Sequence, residues 1–230
     1  MAANKIYQFY AELNDFKPKI WRRFQVTNNV TIARLGYIVM TLFEMTASHL
    51  FAIKIRKIEG KPSRPIIYRY VIMDETYEPL DAHHIKEADM RYARLCDELN
   101  EVGEQCEVNY DFGDNWIVNV TLEKIFVDKE LPSCELPRVL EGKGFGIIED
   151  CGGTSGLDEL VKAFKKKKGE SYKQFSKWLD MEDFDVHTFD IDDMNFRLKK
   201  VPRIYKQCYE DGLYPSKKSN ELLDREYLKK

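Results

Sequence analysis

The segment Tyr110-Asp-Phe-Gly-Asp-Asn-Trp116 separates two stretches in which apolar and polar residues alternate. The apolar positions before the turn are Cys106, Val108, Tyr110 and Phe112, and those after it are Trp116, Val118, Val120 and Leu122. Strict alternation is typical of a β-strand with one buried face. Gly113, Asp114 and Asn115 favour a tight turn, because Gly and Asn tolerate positive φ angles. The segment therefore predicts a β-hairpin.

Alternation elsewhere in the first half predicts four more strands, near residues 7–13, 20–26, 49–55 and 66–73. The last two would be joined across Gly60-Lys-Pro62. Between the second and third strands, Thr31 has the chemistry of an N-cap for a helix over residues 32–46. Apolar residues occupy most of the circumference of that helix, so it is predicted to lie in the core. Residues 74–100 are polar and mixed and predict a loop with short helical turns.

The second half of the chain changes from strand to helix patterns. Prolines and glycines predict an irregular connection over residues 128–156, and helices follow near 157–167, 172–179 and 192–200. Strands first and helices later predict an α+β fold, with an antiparallel sheet of about six strands, a core helix after the second strand and helices in the C-terminal third. Residues 1–200 would form one domain, strand-rich over 1–127 and helical over 157–200, and Pro202 would begin a charged extension over 201–230 with few apolar anchors.

Composition limits the classes of function. The chain has 230 residues and a net charge of -3, whereas a general nucleic-acid binder is usually basic, so a nucleic-acid contact would need a local basic patch. Five cysteines without C-x-x-C spacing predict reduced thiols, and the first residues lack a signal peptide pattern. The longest apolar stretch is interrupted by Arg34 and Glu44 and is too short to span a bilayer. These features predict a cytoplasmic protein.

Three segments carry a resemblance to a known family: Pro18-Lys-Ile-Trp-Arg-Arg23, Tyr110-Asp-Phe-Gly-Asp-Asn-Trp116 and Glu149-Asp-Cys-Gly-Gly153. Together they resemble the plasmid pRiA ORF-three-like family, some members of which are labelled as insertion-element passengers or resolvases. The resemblance covers about residues 4–200 and implies a compact α+β domain linked to mobile DNA. The motif positions expected to have structural roles are Trp21, Arg22, Gly113, Trp116, Gly152 and Gly153.

The chain differs from the family pattern at two positions. It also lacks residues that the serine and tyrosine recombinase mechanisms require. Val118 stands where relatives commonly have histidine, and Gly146-Ile-Ile148 stands where they often have Cys-Pro-Pro. A serine recombinase needs an N-terminal nucleophilic serine, but the first serine is Ser48. A tyrosine recombinase needs a late histidine, but none follows His187. The resemblance therefore implies no specific activity.

Four acidic residues form the main candidate for chemistry: Asp111, Asp114, Glu149 and Asp150. Two acidic pairs on neighbouring loops could hold Mg²⁺ or Mn²⁺, because hard cations take several oxygen ligands and a phosphate substrate can supply others. A structural role is favoured instead, in which each carboxylate accepts main-chain N–H groups in its loop. Neither motif contains a histidine or lysine that could serve as a base. On this interpretation no cofactor is predicted.

Basic residues form a second candidate, for nucleic-acid or partner contact. Its members are Arg23, Lys165, Lys166, Lys167, Lys168, Lys173 and Lys177. The lysines could follow a phosphate backbone, or they could solvate helices whose Phe175 and Trp178 pack inward. Arg22 is expected to be partly buried and paired with an acid such as Asp111 or Asp150.

The remaining reactive side chains favour structural roles. His83 and His84 lack metal-ligand spacing and are expected at the surface, and His49 is expected to be a satisfied, partly buried histidine. Cys151 is expected to be a packing thiol, because no histidine lies near it in sequence.

Two functions follow from these patterns. The leading hypothesis is a non-enzymatic binding protein, associated with mobile DNA, that engages a protein or nucleoprotein partner; a counter-defence role belongs to this class, and direct nucleic-acid contact is compatible with it. The alternative is a metal-dependent nuclease or phosphodiesterase that uses the four carboxylates. No membrane partner is predicted.

Overall fold

The computed structural model describes residues 5–59, 64–79, 81–82 and 84–229, and for residues 58–59, 64–65, 81–82 and 229 it describes the backbone alone. The predicted turn at residues 60–62 and His83 lie outside the described residues. The fold is α+β, as predicted: one sheet carries helices that come mainly from the C-terminal third.

The sheet contains nine described strands. They are β1 (Ile6–Leu13), β2 (Trp21–Thr27), β3 (Phe51–Glu59), β4 (Arg64–Val71), β5 (Asp81–Ala82), β6 (Ile85–Asp89), β7 (Gln105–Tyr110), β8 (Trp116–Phe126) and β9 (Arg138–Lys143). Their spatial order is β5-β6-β4-β3-β7-β8-β1-β2-β9. The predicted hairpin is confirmed: β7 pairs antiparallel with β8, with Tyr110 opposite Trp116.

The prediction of about six antiparallel strands is too low, and one pair is parallel. Eight described strands have five or more residues, β5 has two, and β4 pairs in parallel with β6. Strands β6 and β9 lie in segments whose sequence predicts loops. Both are short and mostly polar, and β9 lies at the edge of the sheet, where a strand needs fewer apolar residues. Periodicity therefore could not reveal them.

Seven α-helices are described: α1 (Ile32–Leu42), α2 (Leu95–Glu98), α3 (Gly153–Lys166), α4 (Glu170–Leu179), α5 (Ile191–Leu198), α6 (Val201–Glu210) and α7 (Lys217–Leu223). The N-cap prediction for α1 is confirmed, because Thr31 Oγ1 accepts a hydrogen bond of 3.1 Å from the Arg34 amide. Except for Arg34, every residue of α1 is buried, as expected for a core helix. The helix ends at Leu42, four residues earlier than predicted.

Residues 201–229 pack against the domain through α6. Val201, Ile204 and Tyr205 are buried, and the Tyr205 hydroxyl donates to the carbonyl of Met45 after α1. Pro202 lies in the first turn of α6, where a missing N–H costs nothing, and so it starts a helix there. The expectation that this segment has few apolar anchors does not hold for α6, because Val201, Ile204 and Tyr205 are spaced along one face and are buried together.

Arg22 is fully buried, but its partners are carbonyl oxygens. Its guanidinium donates to five of them, those of Leu42, Trp21, Lys143, Gly144 and Phe145, at 2.7–3.0 Å. The Phe189 ring also covers the guanidinium at 4.1 Å. The expected pairing with Asp111 or Asp150 is therefore wrong. Five carbonyl dipoles can replace an acid, because each one accepts a charge-assisted hydrogen bond.

The two motif tryptophans occupy opposite environments. Trp116 is completely buried in the core. Trp21 lies on the other face of β2 from Arg22, and its ring stacks on Tyr10 with centroids 5.5 Å apart. Both positions therefore have packing roles, consistent with a structural motif.

Candidate functional site

Two loops meet at the end of the β7–β8 hairpin. The first, residues 111–115, connects the two strands, and the second, residues 148–152, leads into α3. The predicted tight turn is wider than expected, because the residues with positive φ are Asp111 (51°) and Asn115 (54°), which lie at its two ends. The Asp111 carbonyl accepts a hydrogen bond of 2.6 Å from the Asn115 amide and so closes the loop.

The loops contact each other through the Asp114 side chain and through a close approach of their main chains. Asp114 Oδ2 accepts a hydrogen bond of 3.1 Å from the Gly152 amide. Gly153 has a φ of 68°, and a Cβ at this position would lie 2.5 Å from the carbonyl oxygen of Asp114. Only glycine combines that backbone conformation with so close an approach. The paired glycines thus allow the second acidic motif to lie against the first.

Three of the four candidate carboxylates use one oxygen to hold main chain. Besides Asp114, Asp111 Oδ1 accepts from the Gly113 amide at 3.0 Å. Glu149 Oε1 accepts from the Thr46 amide at 2.7 Å and from the Tyr110 hydroxyl at 2.8 Å. These bonds are the loop-stabilising contacts that the structural interpretation predicts.

The remaining carboxylate oxygens converge on His49. Its Nε2 atom lies 3.2 Å from Asp150 Oδ1, 3.7 Å from Asp111 Oδ2 and 3.8 Å from Glu149 Oε2. We call these four residues the His49 cluster. Ligand atoms of His49, Asp111 and Asp150 all lie within 4.8 Å of one another, a spacing that could hold a metal ion. Asp114 does not belong to this group, so the predicted set of four acids is only partly brought together.

Two atoms of the cluster are buried without a partner. Among the described residues, neither His49 Nε2 nor Glu149 Oε2 makes a hydrogen bond. A buried polar atom that lacks a partner costs free energy, and such atoms are uncommon in folded proteins. These two face each other across 3.8 Å. The cluster therefore contains two polar atoms whose hydrogen-bonding capacity is unused among the described residues.

His49 is the residue whose role sequence patterns do not show. The sequence predicts that the imidazole of His49 is partly buried and fully hydrogen-bonded. Among the described residues, however, its Nε2 atom has no hydrogen-bond partner. The Tyr209 hydroxyl donates to its main-chain carbonyl, and the Tyr110 ring packs edge-on against its imidazole at 5.9 Å. Tyr209 lies 160 residues away, so no local pattern could show that this histidine is held in place. The sequence offers two signals for this residue: its position directly after the core helix segment, and the fit of His49-Leu50 to the family resemblance.

Burial raises the pKa of two groups beside the cluster, those of Tyr110 and Cys151. It raises the pKa of the Tyr110 hydroxyl, and the nearby Glu149 carboxylate raises this pKa further. Burial, with a contribution from Asp114, raises the pKa of the Cys151 thiol to about 12. Cys151 is therefore protonated near neutral pH and a poor nucleophile, in agreement with a packing role.

An apolar cavity of about 90 Å³ lies beside the cluster. Leu50 and Phe112 line it, and each directly follows a cluster residue in the sequence. Tyr209 also lines the cavity while its hydroxyl binds the His49 carbonyl, which joins cavity and cluster. Leu50 is 68% exposed and Phe112 is 46% exposed, so the rim of this cavity presents apolar surface to solvent.

The predicted basic candidates do not join the cluster. Arg23 is paired with Glu123 at 2.6 Å and with Glu141, on the face of β2 opposite Arg22. The lysines have exposed side chains at the end of α3 and on α4; these are Lys165, Lys166, Lys167, Lys168, Lys173 and Lys177. Lys167 is paired with Asp183 at 2.5 Å. Trp178 is 48% exposed, so the inward packing expected for it is incomplete.

None of the described helices is long and apolar enough to cross a membrane.

Comparisons with known proteins point to one family. The family model described as "Plasmid pRiA4b ORF-3-like protein" matches residues 5–193. The chain is 24% identical over 186 residues to the protein named "Uncharacterized protein y4hQ" from Sinorhizobium fredii, covering 80% of this chain and 85% of that protein. It is also similar to the crystal structure of a protein of unknown function, MM3350 from Methanosarcina mazei Go1. That likeness has a TM-score of 0.67 and 28% identity over 84% of this chain and 98% of the other.

Proposed function

Because the chain belongs to the plasmid pRiA4b ORF-3-like family, whose name assigns no chemistry, we propose a function from its own site: metal-dependent binding of a partner at the His49 cluster. A divalent transition-metal ion would be held by His49, Asp111 and Asp150, with Glu149 beside it. The partner would contribute an anionic group to the ion and an apolar group to the adjacent cavity.

The convergence of His49 Nε2 with three carboxylate oxygens supports this proposal most strongly. Metal–ligand bonds of about 2.0–2.2 Å place neighbouring ligand atoms roughly 3.0–3.5 Å apart. The distances from Nε2 to the three oxygens are 3.2–3.8 Å, so a small contraction would bring them into range. An ion between them would also satisfy Nε2 and Glu149 Oε2, two of the four buried side-chain atoms that lack hydrogen-bond partners among the described residues.

The chemistry of the ligands favours zinc or manganese over magnesium. Mg²⁺ takes oxygen ligands and keeps several waters, whereas imidazole nitrogen suits first-row transition metals. For the metal-binding alternative, the sequence alone predicts Mg²⁺ or Mn²⁺. With His49 as a ligand, Mn²⁺ is favoured over Mg²⁺, and Zn²⁺ becomes a further candidate.

The surroundings of the cluster support a binding role. The Asp150 side chain is 69% exposed, so one side of the cluster faces solvent and a partner group could reach it. Exposed Leu50 and Phe112 provide apolar contact beside that opening. Partly exposed aromatic and aliphatic side chains around a small pocket are typical of protein-binding surfaces. A protein or nucleoprotein partner associated with mobile DNA, including one engaged in counter-defence, would fit this arrangement and the plasmid label of the family.

One observation favours a second candidate, hydrolysis of a phosphodiester. Glu149 Oε2 has no partner among the described residues and faces the cluster, where it could accept a proton from a water that attacks phosphorus while the ester P–O bond breaks. This candidate retains Asp111, Glu149 and Asp150 from the set of acids but replaces Asp114 with His49.

Metal titration tests the shared premise. Calorimetric titration of the purified chain with Mn²⁺ and Zn²⁺ should show saturable binding of one ion. The Asp150→Asn variant should bind at least about tenfold more weakly, because it loses a charged ligand that makes no main-chain hydrogen bond in the described structure. Its thermal stability without metal should remain close to that of the wild type.

The matched control is Asp114→Asn, which removes the same charge from the neighbouring loop, outside the cluster. It should retain metal affinity within about threefold. Absence of saturable binding by the wild-type chain, or equal losses in the two variants, would contradict a metal site at His49.

A cleavage assay separates the two candidates. With saturating Mn²⁺, a model phosphodiester should remain intact if the site only binds a partner. Cleavage that Glu149→Gln abolishes, while metal binding persists, would instead establish the hydrolytic role.

A further inference from the structure

A groove of about 370 Å³ lies between α6 and α7, in the part of the chain beyond the family match. Four cationic residues line it: Lys199, Lys200, Arg203 and Lys218. No carboxylate is among its described lining residues. The whole chain has a net charge of -3, so this groove is a local reversal of the overall charge.

The helices arrange these cations around one channel. Arg203 and Gln207 follow the N-cap residue Lys200 at helical spacing along one face of α6. Ser219 and Leu222 follow the N-cap residue Ser216 along the facing side of α7. This spacing places each set on one side of its helix. The groove is therefore formed by two facing helix surfaces, with buried Ile204 at its floor.

Two of the cations are held in position and two are free to bind. Lys199 Nζ donates to the Cys134 carbonyl at 2.9 Å, and Lys200 Nζ lies 3.7 Å from the centre of the Phe196 ring. In the described part of the chain, Arg203 and Lys218 make no ion pair or hydrogen bond through their side chains. By contrast, Arg23, Arg69 and Arg225 each form an ion pair with a carboxylate. Unpaired cations without an intervening acid favour an anionic ligand.

We propose that this groove binds the phosphate backbone of a nucleic acid. Its lining includes hydroxyl and amide groups from Ser219 and Gln207, which can bind phosphate oxygens. No aromatic side chain is among its described lining residues, so it offers no surface there for stacking bases. Binding is therefore independent of sequence and sensitive to salt. This site is separate from the His49 cluster and differs from the lysines of α3 and α4.

Fluorescence anisotropy with labelled 20-nucleotide DNA, single-stranded and duplex, tests the groove. The full chain should bind in 50 mM NaCl, and its affinity should fall steeply at 200 mM, with a log–log slope of up to about -3.6 if four phosphates are neutralised. The double variant Arg203→Gln/Lys218→Gln should bind at least about tenfold more weakly. Its slope should be shallower by about 1.8, because two contacts are lost.

The control variant is Arg56→Gln/Lys129→Gln, which removes the same charge from two exposed positions outside both the groove and the lysines of α3 and α4. It should bind within about threefold of the wild type, and circular dichroism should show equal melting temperatures for all three proteins. Failure of the wild-type chain to bind DNA, or an equal loss in the control, would overturn the proposal. Competition with inorganic phosphate and AMP identifies the source of the phosphate group: displacement of the DNA at micromolar concentrations of either would show a small-anion site instead.

Discussion

Single carboxylates in this protein have two roles at once. Asp111 and Glu149 each direct one oxygen to a loop amide and the other to His49. The first oxygen fixes the position of the side chain, so the second is placed without further loss of conformational freedom. The structural role predicted for these acids and the proposed metal role would therefore use different oxygens of the same residue.

Arg22 shows how strongly one side chain can depend on geometry. Its five hydrogen bonds to carbonyl oxygens use the full donor capacity of a guanidinium. An ammonium group has three donors, so Arg22→Lys leaves at least two buried carbonyls unpaired. We expect the free energy of unfolding to fall by about 2–5 kcal/mol, measured by urea denaturation.

The neighbouring Arg23→Lys provides the comparison for that experiment. Its ion pairs with Glu123 and Glu141 are partly exposed, so we expect a loss below about 1 kcal/mol. Similar losses in both variants would show that the carbonyls around Arg22 do not need five donors.

At the scale of elements, the junction of the two acidic loops decides whether the site exists. The hairpin loop presents Asp111 and Asp114, and the loop before α3 presents Glu149 and Asp150. Their contact depends on Gly153, where a Cβ would meet the Asp114 carbonyl. Local patterns predict the hairpin and a helix from residue 157, whereas α3 begins four residues earlier, at Gly153. They do not predict the contact between the two loops.

Gly153→Ala should destabilise the protein through this contact. The residue has a φ of 68°, and the new Cβ would lie only 2.5 Å from a main-chain oxygen, so both backbone strain and a clash oppose the substitution. We expect a loss of about 3 kcal/mol or more in thermal or urea unfolding, and weaker metal binding.

Gly212→Ala is its matched control. Gly212 also has a positive φ, of 63°, but nothing in the described part of the chain lies within 4 Å of its Cβ position. This control substitution should lower the free energy of unfolding by about 1–2 kcal/mol, because it introduces the backbone strain without the clash. If the two substitutions cost the same, the close approach of the loops contributes nothing.

The whole molecule depends on its C-terminal helices. Helix α6 covers α1, and Arg225 binds the nearly buried Glu44 with two hydrogen bonds of 2.8 and 2.6 Å. Tyr209 from the same region binds the carbonyl of His49. The segment that follows the family match therefore supports both the core helix and the candidate site.

Deletion of residues 201–230 should reduce stability severely. It would expose the surface of α1 that Val201, Ile204 and Tyr205 cover and would leave Glu44 without Arg225. We expect a loss of roughly 5 kcal/mol or more, comparable with the total stability of a typical domain. Calorimetry and binding of a hydrophobic dye would show it. A truncated chain that melts within a few degrees of the full protein would indicate that 201–230 is dispensable for folding.

Local sequence determined much of this protein. Alternation of apolar residues was sufficient for the longer strands, Thr31 for the start of α1, and apolar spacing for α3, α4 and α5, because these signals act between residues close in the chain. The local sequence does not predict β6 and β9, because both contain few apolar residues. Their strand conformation depends on hydrogen bonds to the neighbouring strands β4 and β2.

Tertiary structure alone decided the partners across long separations. It placed His49 among acids from two later loops, gave Arg22 carbonyls instead of a carboxylate, and set α7 against α6 to form the basic groove. The physical reason is that hydrogen bonds and charges act over a few ångströms in space, whatever the distance along the chain. Periodicity shows which face of an element is buried, but only the packing of elements shows which polar atoms meet there.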